Sequence, residues 1–249
     1  GSNMNTARRR PGSAGTSTAA LGFGGYLPSP YTAVTEEYDG NIWTNSTNMP
    51  TATAMMHGSG TLNAALSSGG RTSTAFTGAT YEYNSNINAI TISVFSSGGN
   101  RNDGQSDGAG AGTLTAGLAF GGNRNPGSPS TGGLATQTQS EEYNGSSWSE
   151  GGAMSTGRAT FGGLGTQTAG LAFGGRTTNN PFTYTGNTEE YDGSSWTAGG
   201  GMGVASYYMS RSGGGSQTAG VSVGGVQPGS PSSNERKTLE YDGSSTTKS

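Results

Sequence analysis

One stretch repeats down the whole chain: QTAGLAFGG, followed after a loop by TEEYDGSSWT, most cleanly at 167–175 and 188–197. A Gly-Gly pair recurs at Gly24-Gly25, Gly69-Gly70, Gly121-Gly122, Gly174-Gly175 and Gly224-Gly225. A tyrosine follows each pair, at Tyr38, Tyr83, Tyr143, Tyr191 and Tyr241, and a glutamate precedes every one of these tyrosines. The unit is roughly 50 residues long, a period that belongs to solenoids, propellers and arrays. Five units fill the 249 residues, with approximate limits 3–47, 48–93, 94–152, 153–200 and 201–249. A unit this small and glycine-rich cannot bury a core by itself, so its neighbours must complete it.

Within TAGLAFGG, the larger Leu171 and Phe173 alternate with Gly170 and Ala172, which is the period of a strand. One face carries bulk and the other almost none, as suits sheets stacked closely on similar sheets. The stretch EEYDGSSWT places Asp192-Gly193 at a hairpin turn. Tryptophan lies five residues after the tyrosine in three units, at Trp43, Trp148 and Trp196. Each unit therefore predicts about four short antiparallel strands, and no segment has helical periodicity. Four-stranded sheets repeated around a ring make a β-propeller, here an all-β propeller of five blades in one domain, 1–249. The connection from Gly-Gly to tyrosine varies in length, as a solvent-facing loop should. The third unit carries extra residues, expected near 96–108.

Composition fits this frame. Apolar residues make up 29% and charged residues 11%, with 48 glycines, yet the regular spacing of Leu, Phe, Tyr and Trp argues against disorder. A net charge of −3 is too small to predict attraction to nucleic acid, and no apolar run is long enough to insert in a bilayer. With no cysteine, thiol chemistry and disulfides are excluded.

The pattern resembles the kelch-type repeat, in which an arginine precedes an apolar strand ending in Gly-Gly, followed by Tyr-Asp, a tryptophan and a methionine. Arg8 and Arg158 match the arginine; Tyr38-Asp39, Tyr191-Asp192 and Tyr241-Asp242 match the Tyr-Asp pairs. The resemblance covers essentially the whole chain and is nearest to kelch-like proteins of viruses and bacteria. It implies that the variable loop and the lead-in to each blade share one face. That face would group Arg8, Arg71, Arg101, Arg124, Arg158 and Arg176, with Tyr26, Tyr31, Phe182 and Tyr184 nearby. Arginine beside aromatic rings suits recognition of a carboxylate, phosphate or sugar.

Catalytic constellations are weaker. Eleven of the 15 acidic residues lie in the tyrosine strands, but a glutamate repeated in every blade is fivefold, whereas catalysis needs one asymmetric site. A structural role, such as bonding loop amides, is the expectation. His57 is the only histidine and reads as a surface residue. The run 100–108 offers Asp103 and Asp107 at calcium-like spacing, but without a terminal bidentate glutamate it reads as a plain loop. No catalytic residue, metal or cofactor is expected. The expected function is a non-catalytic module that binds a carbohydrate or protein ligand on its loop face, extracellular or virion-associated, as a monomeric closed ring. The alternative is a structural spacer with no small-molecule ligand.

Overall fold

In a computed structural model, residues 2–27, 30–85, 94–124, 135–203, 205–207, 214–226, 228, 238–244 and 246–248 are described. Every regular element among them is a strand. The first blade holds β1 (Gly12–Thr16), β2 (Ala19–Phe23), β3 (Thr35–Tyr38) and β4 (Trp43–Ser46); the second holds β5 (His57–Thr61), β6 (Ala64–Ser68), β7 (Thr80–Asn84) and β8 (Val94–Ser97). The third unit contributes β9 (Ala109–Thr113) and β10 (Ala116–Phe120), a small hairpin of β11 (Asn123–Arg124) and β12 (Ala135–Thr136), then β13 (Ser140–Tyr143) and β14 (Trp148–Glu150). The fourth follows the same plan: β15 (Gly162–Thr166), β16 (Ala169–Phe173), the hairpin β17 (Arg176–Asn179) and β18 (Phe182–Tyr184), β19 (Thr188–Tyr191) and β20 (Trp196–Ala198). The fifth comprises β21 (Gly214–Ser216), β22 (Ala219–Val223), β23 (Thr238–Tyr241) and β24 (Thr246–Lys248). Each blade is a four-stranded antiparallel meander, so the fold is the five-bladed β-propeller that the repeat predicts. No helix among the described residues is long and apolar enough to cross a membrane.

The chain divides into two compact units. One comprises Gly1–Ser106, Thr113–Gly117 and Tyr143–Trp148; the other comprises Asp107–Gly112, Leu118–Glu142 and Ser149–Ser249. The first is built around Leu21, Phe23, Met49, Met56, Ala65 and Tyr83. The second has two clusters, one around Leu118, Phe120, Phe161 and Trp196, the other around Leu164, Leu171, Phe173 and Leu239.

The bulk-and-void alternation read in TAGLAFGG is how successive blades fit. A Cβ added to Gly170 would lie 2.8 Å from a Leu118 methyl of the preceding blade, so the leucine occupies the space the glycine leaves. The Gly-Gly pair serves a different end. Gly174 and Gly175 adopt φ of 65° and 98°, and a Cβ on Gly175 would collide with the Phe161 Cβ at 2.4 Å.

The repeated glutamates and tyrosines clasp blade to blade. Within the first unit, Tyr83 donates to Glu37 and Tyr143 to Glu82; within the second, Tyr191 donates to Glu142 at 2.6 Å and Tyr241 to Glu190. Burial and the adjacent carboxylate push the Tyr143 and Tyr191 hydroxyls up to about 12. Tyr38 differs: its hydroxyl donates to the carbonyl of its own Gly40. The tryptophans after the tyrosines add a second tie, with Trp148 Nε1 donating to Thr80 and Trp196 Nε1 to Ser140, each at 2.9 Å.

One expectation is corrected. The extra residues of the third repeat do not lie near 96–108. Phe95 pairs with Tyr83 as Trp43 pairs with Tyr38 and Trp196 with Tyr191, so β8 takes the tryptophan strand's place in the second blade. The extra length falls between Asn84 and Val94, where 86–93 lie outside the described residues.

Candidate functional site

Directly after four of the Gly-Gly pairs the chain pairs briefly with the segment that leads into the first strand of the same blade. Arg71 forms such a bridge with Ala54 and Arg176 with Ala159, while Tyr26 pairs with Arg9. The backbone bonds are short and mutual: Arg71 N–H to Ala54 O at 2.8 Å and Ala54 N–H to Arg71 O at 2.9 Å. Side chains at these positions are thus held by backbone on both sides.

In the first unit this builds an open cleft of about 470 Å³ lined by Arg9, Arg10, Tyr26, Tyr31, Met55, Arg71 and Ser73. The Arg9 guanidinium lies over the Tyr26 ring at 5.3 Å, and Tyr26 meets Tyr31 edge-on with centroids 5.1 Å apart. Arg71 lies over Phe76 at 5.6 Å. Arg10 and Met55 hold the left-handed backbone region, with φ of 54° and 61°, and Arg10 Nη1 reaches the Met55 sulfur at 3.4 Å. Such conformations are uncommon for residues with a side chain. Among the described residues no carboxylate lines the cleft.

A second cleft, of about 540 Å³, lies wholly within the other unit and is lined by Ala135, Thr136, Arg176, Thr177, Thr178, Asn179, Asn180 and Phe182. Arg176 sits 4.7 Å from the centre of the Phe182 ring, which is 56% exposed. The connection read as a loop from its variable length is here a hairpin, β17–β18. Tyr184 is engaged elsewhere, stacked on Tyr207 with centroids 4.2 Å apart. Arg124 lies half-buried on β11.

Three of the arginines grouped by the sequence are interior. Arg158 is 1% exposed; it donates to the carbonyls of Gly174 and Asn187 and pairs with Glu189 at 2.5 Å. Glu189 also accepts the amides of Ser155 and Thr156, so the pair fixes the lead-in segment. Arg8 repeats this arrangement, pairing with Glu36 at 3.1 Å with both side chains fully covered. Burial lowers both arginine pKa values, and the partner carboxylates oppose that shift. These two guanidiniums are committed to the fold and present no binding surface.

Arg101 is the third, 4% exposed. Its backbone N–H bonds Gly78 O as Met49, Met154 and Met202 bond Ala33, Thr138 and Gly186, so it stands in the methionine position of the repeat. Its guanidinium donates to Gln105 Oε1 at 3.1 Å and lies 3.2 Å from His57 Nδ1. His57 is therefore not a surface residue but a buried one, 3% exposed at the start of β5.

Asp107 is 6% exposed and accepts from Asn123 Nδ2 at 3.2 Å, while Asp103 is half-buried. Among the described residues no group of three or more His, Cys, Asp or Glu side chains is placed to hold a metal.

Of the predicted set, the structure brings Tyr26, Tyr31 and Arg71 into one cleft and Arg176 with Phe182 into another. Arg9, Arg10 and Met55 were missed. The signal for Arg10 and Met55 was their position two residues before the first strand of a blade, where Arg10, Met55, Asp107 and Thr160 share the same left-handed backbone. No protein-family model matches the chain, and no curated protein matches it.

Proposed function

We propose that this chain is a non-catalytic recognition module, kelch-like in its repeat, that binds carbohydrate in the clefts beside its Gly-Gly turns. The observation that carries the reading is the recurrence of arginine with aromatic rings at one place in the repeat, outside the four-stranded sheets. Arg9, Tyr26, Tyr31 and Arg71 line one open cleft, and Arg176 with Phe182 lines another. An exposed ring offers a face for the apolar side of a sugar, while guanidinium, threonine and asparagine groups supply directed hydrogen bonds. Clefts of a few hundred Å³ suit mono- or disaccharides.

The remaining polar groups support a non-catalytic role. The buried Arg–Glu pairs are committed to the lead-in segments, and four of the glutamates before the tyrosines clasp neighbouring blades. Several weak sites on one scaffold would gain strength through avidity, which suits an adhesin or a virion receptor-binding part. The test is a glycan-array screen of the purified protein beside its Arg176→Ala and Arg71→Ala variants. Binding of a sugar class that one of these changes weakens supports the reading. Absence of binding to any saccharide would return the chain to a purely structural role.

A further inference from the structure

The cleft of the first unit has an electrostatic character that general sugar binding does not require. The whole chain carries a net charge of −3, yet the guanidiniums of Arg9 and Arg71, with Arg10 beside them, line this one cleft, and among the described residues no carboxylate lines it. The nearest repeat arginine, Arg8, is neutralised by Glu36 and contributes nothing to the cleft. Positive charge is thus concentrated where the overall balance is negative. Such focusing raises the local concentration of anions.

The arginines are also oriented. Arg9 lies over Tyr26 and Arg71 over Phe76, so each uses an aromatic ring to fix its position. A guanidinium held against a ring keeps its in-plane N–H groups for a forked acceptor such as a carboxylate or sulfate. The backbone beneath is rigid, because Arg9 and Tyr26 exchange both of their backbone bonds, at 2.9 and 2.7 Å. Little ordering remains to oppose binding.

From these features we infer that the cleft takes an acidic saccharide: its anionic group lies between the arginines and its ring against Tyr26 or Tyr31. This inference rests on the reading of the loop clefts as carbohydrate sites and specifies the ligand class of one of them. The geometry favours a saccharide over an acidic peptide. Peptide capture by strand addition needs a free edge, but the backbone groups of Arg9, Tyr26, Ala54 and Arg71 already bond one another.

The test is calorimetric titration of the full chain with three probes of similar size: uronic-acid oligosaccharides from alginate, sulfated oligosaccharides from heparin, and neutral dextran oligosaccharides. The expected result is binding to one or both acidic probes, weakened by salt, with no comparable binding to dextran. The first two arms separate a carboxylate ligand from a sulfate ligand. Arg71→Ala and Tyr26→Ala should each weaken acidic-probe binding by about tenfold or more, as loss of a charged hydrogen bond or a stacking surface would. Ile42→Ser, at an exposed position outside both clefts, should leave it unchanged. Thermal melts of the variants separate lost binding from lost folding; if an alanine variant melts early, Arg71→Lys and Tyr26→Phe replace it.

Equal binding to dextran and the acidic probes would overturn the inference while leaving carbohydrate recognition intact. Acidic binding unaffected by Arg71 and Tyr26 changes would overturn this cleft as its site. Binding to an acidic peptide such as oligoglutamate but to no saccharide would overturn both readings.

Discussion

The Tyr191 hydroxyl donates to the Glu142 carboxylate at 2.6 Å, tying the third strand of the fourth blade to the same strand of the third. The same hydroxyl also accepts the Gly152 N–H at 3.3 Å. A hydrogen bond to a charged group stabilises by about 1.5–3 kcal/mol. Tyr191→Phe should cost about that much in urea unfolding, whereas Tyr38→Phe should cost less than about 0.5 kcal/mol, because Tyr38 bonds only its own Gly40. Equal losses for the two variants would show that the blade-to-blade clasp adds nothing to stability.

These clasps also set an alkaline limit. The Tyr143 and Tyr191 hydroxyls are held up to about 12, while an unfolded tyrosine titrates near 10. Below the unfolded value both states keep the proton and stability is whole. Between about 10 and 12 the unfolded chain releases protons that the folded chain retains, so stability falls as pH rises. Urea midpoints measured against pH should therefore decline from about pH 10 upward, and tyrosinate absorbance should rise together with unfolding. A midpoint that stays flat to pH 12 would contradict the buried, carboxylate-bonded tyrosines.

Arg158 and Glu189 form a buried pair, and removing one partner leaves the other as an uncompensated charge. Arg158→Ser should cost about 3–5 kcal/mol. The fifth blade shows how the position works without charge. Ser206 there offers its carbonyl to the Gly175 N–H as Arg158 offers its own to Gly122, and Leu239 stands where Glu189 does. The double change Arg158→Ser with Glu189→Leu should therefore be no worse than Arg158→Ser alone. Losses that simply add in a double-mutant cycle would show that the two side chains are not coupled.

The architecture was legible because a propeller blade repeats what its strands need. Alternating bulk in TAGLAFGG, the Gly-Gly turn and the Asp-Gly hairpin each have one local explanation, and these explanations agree on one fold. The arginines were harder, since a guanidinium can be spent on a buried carboxylate or left facing a loop, and spacing does not separate the two. Arg8 and Arg158 went to Glu36 and Glu189, whereas Arg71 and Arg176 stayed at the clefts. Arg101 was misplaced because the extra residues were assigned to the wrong connection. Once Phe95 is set opposite Tyr83, Arg101 falls into the buried methionine position.

That position yields a further prediction. Arg101→Met would restore the residue type of the other repeats, but it would remove the donor to Gln105 Oε1, and Gln105 is fully buried. Losing a buried hydrogen bond from a charged donor costs about 1.5–3 kcal/mol, more than the added apolar contact of one thioether recovers. The variant should therefore be destabilised despite matching the repeat. A gain in melting temperature would mean that the methionine fit outweighs the buried polar cluster.

Blade spacing can be tested at Gly170. An alanine Cβ there would lie 2.8 Å from a Leu118 methyl, a distance that real side chains do not tolerate without movement. Overpacking of this kind costs about 1–3 kcal/mol. The contact is with the end of a flexible side chain, so shortening that side chain should relieve it. Leu118→Ala alone leaves a cavity, at about 2–5 kcal/mol for a leucine that is 1% exposed. Combined with Gly170→Ala, part of that cavity is filled by the new methyl. The double variant should accordingly be more stable than the sum of the two single losses predicts. Strict additivity in urea unfolding would mean that Leu118 does not pack against Gly170, and that the glycine serves the backbone of its own strand instead.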